Sequence, residues 1–190
     1  MSAREDPGSR RKFFRQGMAR LVSPLANYLD RHLDVPPPRT RLRPPGALDE
    51  REFLDTCTRC GACAEVCPAQ AISLGGTGRS AGTPFIDPDL GACVVCDGLL
   101  CTHQCPSGAL RPLIAPHEIA MGLAVVSQAD CLRSTGDDCS ICVDRCPIGS
   151  EALVLAGPGG PQVLEAGCVG CGVCQQVCPT RPRAIVVKPY

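Results

Sequence analysis

CTRCGACAEVCP, running from Cys57 to Pro68, decides how the rest of the chain is read. Its cysteines stand at i, i+3, i+6 and i+10, and the last is followed by proline. Three thiolates at three-residue steps can wrap one tight loop around three irons of a cubane cluster. The fourth lies too far round the chain to close the same site, and in two-cluster proteins it ligates the neighbouring cluster instead. The proline fits this, because it offers no N–H and pushes the preceding cysteine toward extended backbone, turning the chain out of the loop.

Working outward, the pattern recurs three times. CVVCDGLLCTHQCP holds Cys93, Cys96, Cys101 and Cys105; CLRSTGDDCSICVDRCP holds Cys131, Cys139, Cys142 and Cys146; CVGCGVCQQVCP holds Cys168, Cys171, Cys174 and Cys178. With Cys57, Cys60, Cys63 and Cys67 these account for all sixteen cysteines. Disulfides need no such crowding, and their geometry is too strict for near neighbours in a loop. Structural zinc favours paired C-x₂-C halves set a dozen or more residues apart and does not require triplets ending in Cys-Pro. The sixteen cysteines are therefore read as ligands of four [4Fe–4S] clusters. Gly61, Gly170 and Gly172 are expected to let backbone approach the inorganic sulfides.

Composition agrees. The chain of 190 residues has no Trp, four Phe and two Tyr, so little aromatic material is available for a core. Formal net charge is zero but segregated: residues 1–46 hold ten Lys/Arg against four Asp/Glu, and residues 47–190 hold nine against fifteen. Clusters with four thiolates each would make the second part more acidic still.

Residues 1–46 read as a basic amphipathic arm followed by a Pro-rich spacer. Phe14, Met18, Leu21, Leu25 and Leu29 recur at helical steps, and DVPPPRTRLRPPG reads as extended polyproline. Residues 47–190 read as a four-cluster body of α+β class, in which a short acidic helix with Phe53 and Leu54 inward precedes the first cysteine group. Each group is flanked by apolar stretches, such as AQAISL, PFIDPDL, GLAVV, EALVL and AIVV, too short for helices and read as strands. LIAPHEIAMG, 113–122, reads as a linker with a helical turn. Groups one and four share a spacing that two and three lack. That symmetry points to nested, pseudo-symmetric modules, an outer one from 47–80 and 160–190 and an inner one from 81–159. Cys67 would then join Cys168, Cys171 and Cys174, and Cys178 would join Cys57, Cys60 and Cys63; Cys105 would join group three and Cys146 group two. Sequential pairing, one with two and three with four, stays open.

Roughly residues 42–190 resemble the ferredoxin-type proteins of the periplasmic nitrate reductase and methylamine-utilisation systems, the NapG/MauM type related to NapF. The resemblance rests on LRPPGALDEREFLDTCTRCGACAEVCP, on the CTHQCPSGAL end of group two, and on MGLAVVSQADCL with its seven-residue spacing to CSICVDRCP. It implies two bacterial-ferredoxin-like modules in a non-catalytic electron carrier between a membrane quinol-oxidising partner and a terminal reductase or dehydrogenase. The alternative is an accessory protein that docks on a redox enzyme during cofactor assembly.

No Walker loop, dinucleotide fingerprint or nucleophile–base constellation is present, and no nucleic-acid module. His32, His103 and His117 are read as ordinary polar residues, and Asp97 and Asp144 as solvated loop carboxylates. SRRKFFR, Ser9 to Arg15, resembles a twin-arginine export motif, yet residues 16–33 lack a clean apolar run and an A-x-A site. The expectation is a retained arm at the cytoplasmic face of the inner membrane, with periplasmic export as the alternative.

Overall fold

The structure, a computed structural model, describes residues 38–157 and 159–190. The amphipathic arm and the SRRKFFR motif lie outside the described residues. Gly and Pro recur so often in the body that regular elements stay short, and each cysteine loop carries about one turn of helix. In chain order the helices are α1 (Glu50–Thr56), α2 (Ala62–Glu65), α3 (Leu100–His103), α4 (Ile141–Asp144) and α5 (Val173–Val177). The strands are β1 (Ile72–Gly75), β2 (Thr83–Ile86), β3 (Gly122–Val126), β4 (Leu153–Leu155), β5 (Pro161–Val163) and β6 (Ile185–Pro189).

All three sheets are antiparallel pairs. β1 pairs β2 with Ile72 opposite Ile86, β4 pairs β5 with Leu153 opposite Val163, and β3 pairs β6 with Ala124 opposite Val187. These strands are the apolar stretches expected from the sequence. A further apolar stretch after group two, SGALRP (107–112), contributes only the single bridge of Leu110 to Ala47, because Pro112 has no N–H to extend it.

This topology corrects the nested arrangement. The β1–β2 hairpin carries the chain directly from cysteine group one to group two, and the Ala47–Leu110 bridge closes a frame around that pair. The β4–β5 hairpin does the same for groups three and four, with β3–β6 closing the frame. The halves are sequential, about 38–114 and 115–190. The physical reason is that short connections keep consecutive elements adjacent, and the extra residues in groups two and three are absorbed in their own loops.

The spacer also needs correcting at its end. Leu42, Arg43, Pro44 and Pro45 are buried rather than extended into solvent. Prolines can be buried without orphaning an N–H, and Leu42 bridges Ile86. Arg43, 1% exposed, finds a partner for every arm of its guanidinium. Nε and one terminal nitrogen donate to the Glu50 carboxylate at 3.0 and 2.5 Å, and the other terminal nitrogen donates to Thr83 Oγ1 at 2.9 Å and the Pro84 carbonyl at 2.8 Å. The Phe53 ring lies under the guanidinium, 4.7 Å away. The network fixes the start of the body to α1 and β2 at once.

The 113–122 linker has its helical turn at Pro116–Glu118, held by Glu118 Oε2 accepting the Ile114 N–H at 2.8 Å. It is not a loose tether, since Ile119 and Met121 are buried in a core shared with Leu42, Phe53, Ile72, Ile86 and Leu110. A second core gathers Ala124, Leu153, Ala184 and Ile185. Cysteines enter both.

Removing one partner of a buried, fully bonded ion pair strands the other charge, at a cost of about 3–5 kcal/mol. Arg43→Ala is therefore expected to lower the thermal midpoint of the anaerobically prepared protein by roughly 10 °C. Arg79→Ala, which breaks the exposed pair with Asp55, is expected to leave it unchanged within error. Parallel melts of the two variants check this.

Candidate iron–sulfur sites

Four cavities hold the cysteines, four in each. Cys57, Cys60, Cys63 and Cys105 line one space, here site I. Cys67, Cys93, Cys96 and Cys101 line site II. Cys146, Cys168, Cys171 and Cys174 line site III. Cys131, Cys139, Cys142 and Cys178 line site IV. Each site takes three cysteines from one loop and the Cys-Pro cysteine of its partner loop. Cys67 thus stands with Cys93 and not with Cys168, and Cys178 with Cys131 and not with Cys57, so the pairing is sequential.

The rest of the lining is mostly apolar, Ala69, Ala71, Ile72 and Leu99 in site II for example, while site I also takes in Thr58, Arg59 and Ser107 and site IV Thr180. Four soft thiol donors round a largely apolar space suit an iron–sulfur cluster. The sulfurs stand around a volume rather than converging on a point. Among the described residues no group of three or more His, Cys, Asp or Glu is arranged to hold a single metal ion.

Local backbone explains how the loops bend so tightly. The residue before the second cysteine of groups one, two and four takes a left-handed conformation: Arg59 (φ 61°), Val95 (φ 51°) and Gly170 (φ 70°). For β-branched Val95 this is strained, the kind of cost concentrated at functional sites. At Gly170 a side chain is excluded twice over, since an added Cβ would also lie 2.3 Å from the Gly122 carbonyl. The close approach seen at this glycine is to the backbone of Gly122.

The thiols interact strongly. Burial, then the neighbouring Cys105 and Cys57, pushes the Cys63 thiol up to about 11. Burial with Cys93, Cys96, Cys67 and Cys63 nearby pushes Cys101 up to about 12. Cys171 is pushed to about 12 by burial, despite the Val173 N–H, with Cys93, Cys146 and Cys168 adding repulsion. Cys174 is raised by burial, then by Cys171 and Cys168, with Cys142 also contributing. Such thiols ionise together only when a positive group is bound among them. Cys105 and Cys178 differ: although burial opposes it, hydrogen bonds hold both below the usual thiol range. Cys105 Sγ faces the Leu110 N–H at 3.4 Å and Ser107 Oγ at 3.6 Å, and Cys178 Sγ faces Thr180 Oγ1 at 3.2 Å.

Those same pairs show which sites adjoin. Cys63 and Cys101 link sites I and II, Cys93 and Cys171 link II and III, and Cys174 and Cys142 link III and IV. The central link is a direct backbone contact: the Cys93 N–H donates to the Cys171 carbonyl at 3.0 Å. Gly172 packs there so tightly that an added Cβ would lie 2.8 Å from Pro88. Asp89 meets Arg183 at 3.2 Å across the same seam.

All sixteen cysteines singled out by sequence line these cavities. His103 instead contacts the Leu113 carbonyl at 3.0 Å, Asp144 accepts from the Ser140 hydroxyl, and Asp97 is exposed. His117 is exposed on the linker turn, and His32 lies outside the described residues. Sequence reasoning missed Ser107, Thr180 and the Cys93–Cys171 contact. The first two were visible as CPS and CPT, against CPA and CPI in the other groups; the contact has no local signal.

Comparison with known proteins agrees with the geometry. Residues 56–109 match the 4Fe-4S dicluster domain family, spanning groups one and two together, and residues 168–181 match a 4Fe-4S binding domain family. The methylamine utilization ferredoxin-type protein MauM of Methylobacillus flagellatus is 41% identical over 164 residues, 80% of this chain and 70% of the relative. The ferredoxin-type protein NapG of Escherichia coli is 40% identical over 164 residues, 78% of this chain and 71% of the relative. MauM of Methylophilus methylotrophus is 39% identical over 193 residues, covering 94% and 84%. With identity near 40% sustained over most of its length and its cysteines gathered for clusters, the chain belongs to the NapG/MauM family of ferredoxin-type iron–sulfur proteins.

Proposed function

We propose that the chain holds four [4Fe–4S] clusters on its sixteen cysteines and relays electrons between a membrane quinol-oxidising partner and a terminal oxidoreductase. The observation that carries this is the unbroken series of four-cysteine sites, I–II–III–IV: Cys63 and Cys101 share one packed core, Cys142 and Cys174 share the other, and the Cys93 N–H donates to the Cys171 carbonyl between them. Each bound cluster supplies a centre that takes up and gives back one electron. The protein's part is to fix the thiolates in place, keep water from the inner sites and join the two halves rigidly. Cys171, Cys174, Cys101 and Cys63 are buried, and the core around sites I and II takes in Val169 and Cys171 of the second half. The named relatives are ferredoxin-type proteins.

The partners follow from where the charge sits. Residues 1–46 carry a net formal charge of +6 and suit an anionic membrane surface or an acidic face of a membrane partner. Residues 47–190, at −6, suit a basic docking face on the terminal enzyme. No helix among the described residues is long and apolar enough to cross a membrane. The cytoplasmic side of the inner membrane is the proposed location.

Anaerobically purified protein should contain about sixteen iron and sixteen sulfide per chain, the content of four cubanes. Zinc at two or more per chain with little iron would overturn the reading. Chelating the iron should unfold the body, because so little other material holds it; loss of far-UV dichroism on chelation measures this.

Pairing has its own fingerprint. Cys67→Ser should alter the same reduced-state EPR signal as Cys93→Ser, and Cys178→Ser the same one as Cys142→Ser. If Cys67→Ser matched Cys171→Ser instead, the sequential assignment would be wrong.

A further inference from the structure

Four cysteines precede proline, and the residue after that proline differs among them. Beside Cys105 and Cys178 it is Ser107 and Thr180; beside Cys67 and Cys146 it is Ala69 and Ile148. Both hydroxyls point at the cysteine sulfur two residues back, at 3.6 Å for Ser107 Oγ and 3.2 Å for Thr180 Oγ1. A thiolate bound to iron has no proton to give, so in each pair the hydroxyl is the donor. Thr180 is held for that role, since its oxygen accepts the Ala184 N–H at 2.8 Å while its own hydrogen stays free. At Cys105 the Leu110 N–H adds a second donor at 3.4 Å.

Cys105 belongs to site I and Cys178 to site IV, the two ends of the series. Neither inner site has a hydroxyl at the corresponding position. One-electron reduction adds negative charge that spreads onto the ligand sulfurs. A donor aimed at such a sulfur is bound more strongly in the reduced state, so it favours electron uptake. No proton changes hands in this step: the electron comes from the redox partner or chemical reductant and the hydroxyl keeps its hydrogen.

The geometry points to Ser107 and Thr180 as the residues that set the reduction potentials of the two end sites above those of the two inner ones. This rests on the reading that the four cysteine sets hold [4Fe–4S] clusters. They touch only ligand sulfur and act through it, as tuning residues. An electron held on the chain then resides preferentially at either end, and the inner pair is the crossing between them.

The test is a dithionite redox titration of the full-length, anaerobically prepared protein, followed by EPR, after iron and sulfide are counted. A hydrogen bond to a charged acceptor contributes about a factor of ten in an equilibrium. Ser107→Ala should therefore lower one midpoint by about 59 mV, the one-electron equivalent of tenfold, and leave the other three in place. Thr180→Val should lower a different midpoint, and Thr180→Ser, which keeps the hydroxyl, should not. Ala69→Ser adds a hydroxyl beside Cys67 and should raise one midpoint. If Thr180→Val fails to take up iron, Ser107→Ala and Ala69→Ser decide the question. Full iron content with every midpoint unmoved overturns this inference alone, as do variants that lower three or more midpoints together. Wild-type protein without iron overturns the cluster reading and this inference with it.

Discussion

Sixteen thiols are gathered in the middle of a chain that has six aromatic residues to fill a core, and they repel one another whenever they ionise. Burial and mutual charge push Cys63, Cys93 and Cys142 to about 11 and Cys101 and Cys171 to about 12. Without a positive group among them these cysteines stay neutral. With one, the same cysteines become the densest set of bonds in the molecule. Folding and cofactor capture are then one process, as in other small metal-dependent domains. Everything else in the structure serves to bring four thiols to each cavity with little hydrophobic material.

That economy explains the shape of the parts. A one-turn helix such as α2 or α5 could not hold itself together in water; each carries one cysteine of its site, Cys63 in α2 and Cys174 in α5, and runs into the Cys-Pro cysteine that follows, Cys67 or Cys178. Strands of three to five residues likewise persist only as closures, β3 on β6 and β4 on β5. The Arg43–Glu50–Thr83 network is the exception, a dense polar knot that contains no cysteine, although Phe53 and Pro84, which Arg43 touches, also line site I. Its buried charge is matched bond for bond, and it ties the incoming chain to the first half, where Ala47 and Leu110 make only an isolated bridge. The second half, closed by the full β3–β6 ladder, has no equivalent network among the described residues.

The cysteine groups and their loops were legible in the sequence because a ligand triplet is a local property: spacing along the chain dictates spacing around a cluster. Strand positions were legible for a similar reason, as apolar runs bounded by Gly, Pro or Asp. Two features were not. Nesting was inferred from the shared spacing of groups one and four, but spacing within a loop says nothing about which loop stands opposite; that is set by the connections, and the β1–β2 and β4–β5 hairpins are short. The run DVPPPRTRLRPPG was read as a spacer because proline usually marks one. Its last residues are instead buried, since proline carries no donor to orphan and Arg43 brings its charge to a waiting carboxylate. Composition could not distinguish a solvated polyproline stretch from one lying on a protein surface.

The order of the sites in space differs from the order of the cysteine groups along the chain, and the exchange of Cys-Pro cysteines explains why. Within each half the exchange binds two loops into one unit with a site at either end. Joining two such units end to end can use any of four combinations of sites. This chain uses the loops of groups two and four, through the Cys93–Cys171 hydrogen bond and the bare backbone at Gly172. Groups one and three are thereby left at the outside, giving the sequence of loops one, two, four, three. A substitution at Gly172 would press on Pro88, so the join depends on a position with no side chain. The most exposed of all the cysteines, Cys60, belongs to group one, at an end of the series, while Cys171 and Cys174 at the inner site III are buried. Chain order thus has little to do with the path between the ends; the path is fixed by which two loops meet at the seam.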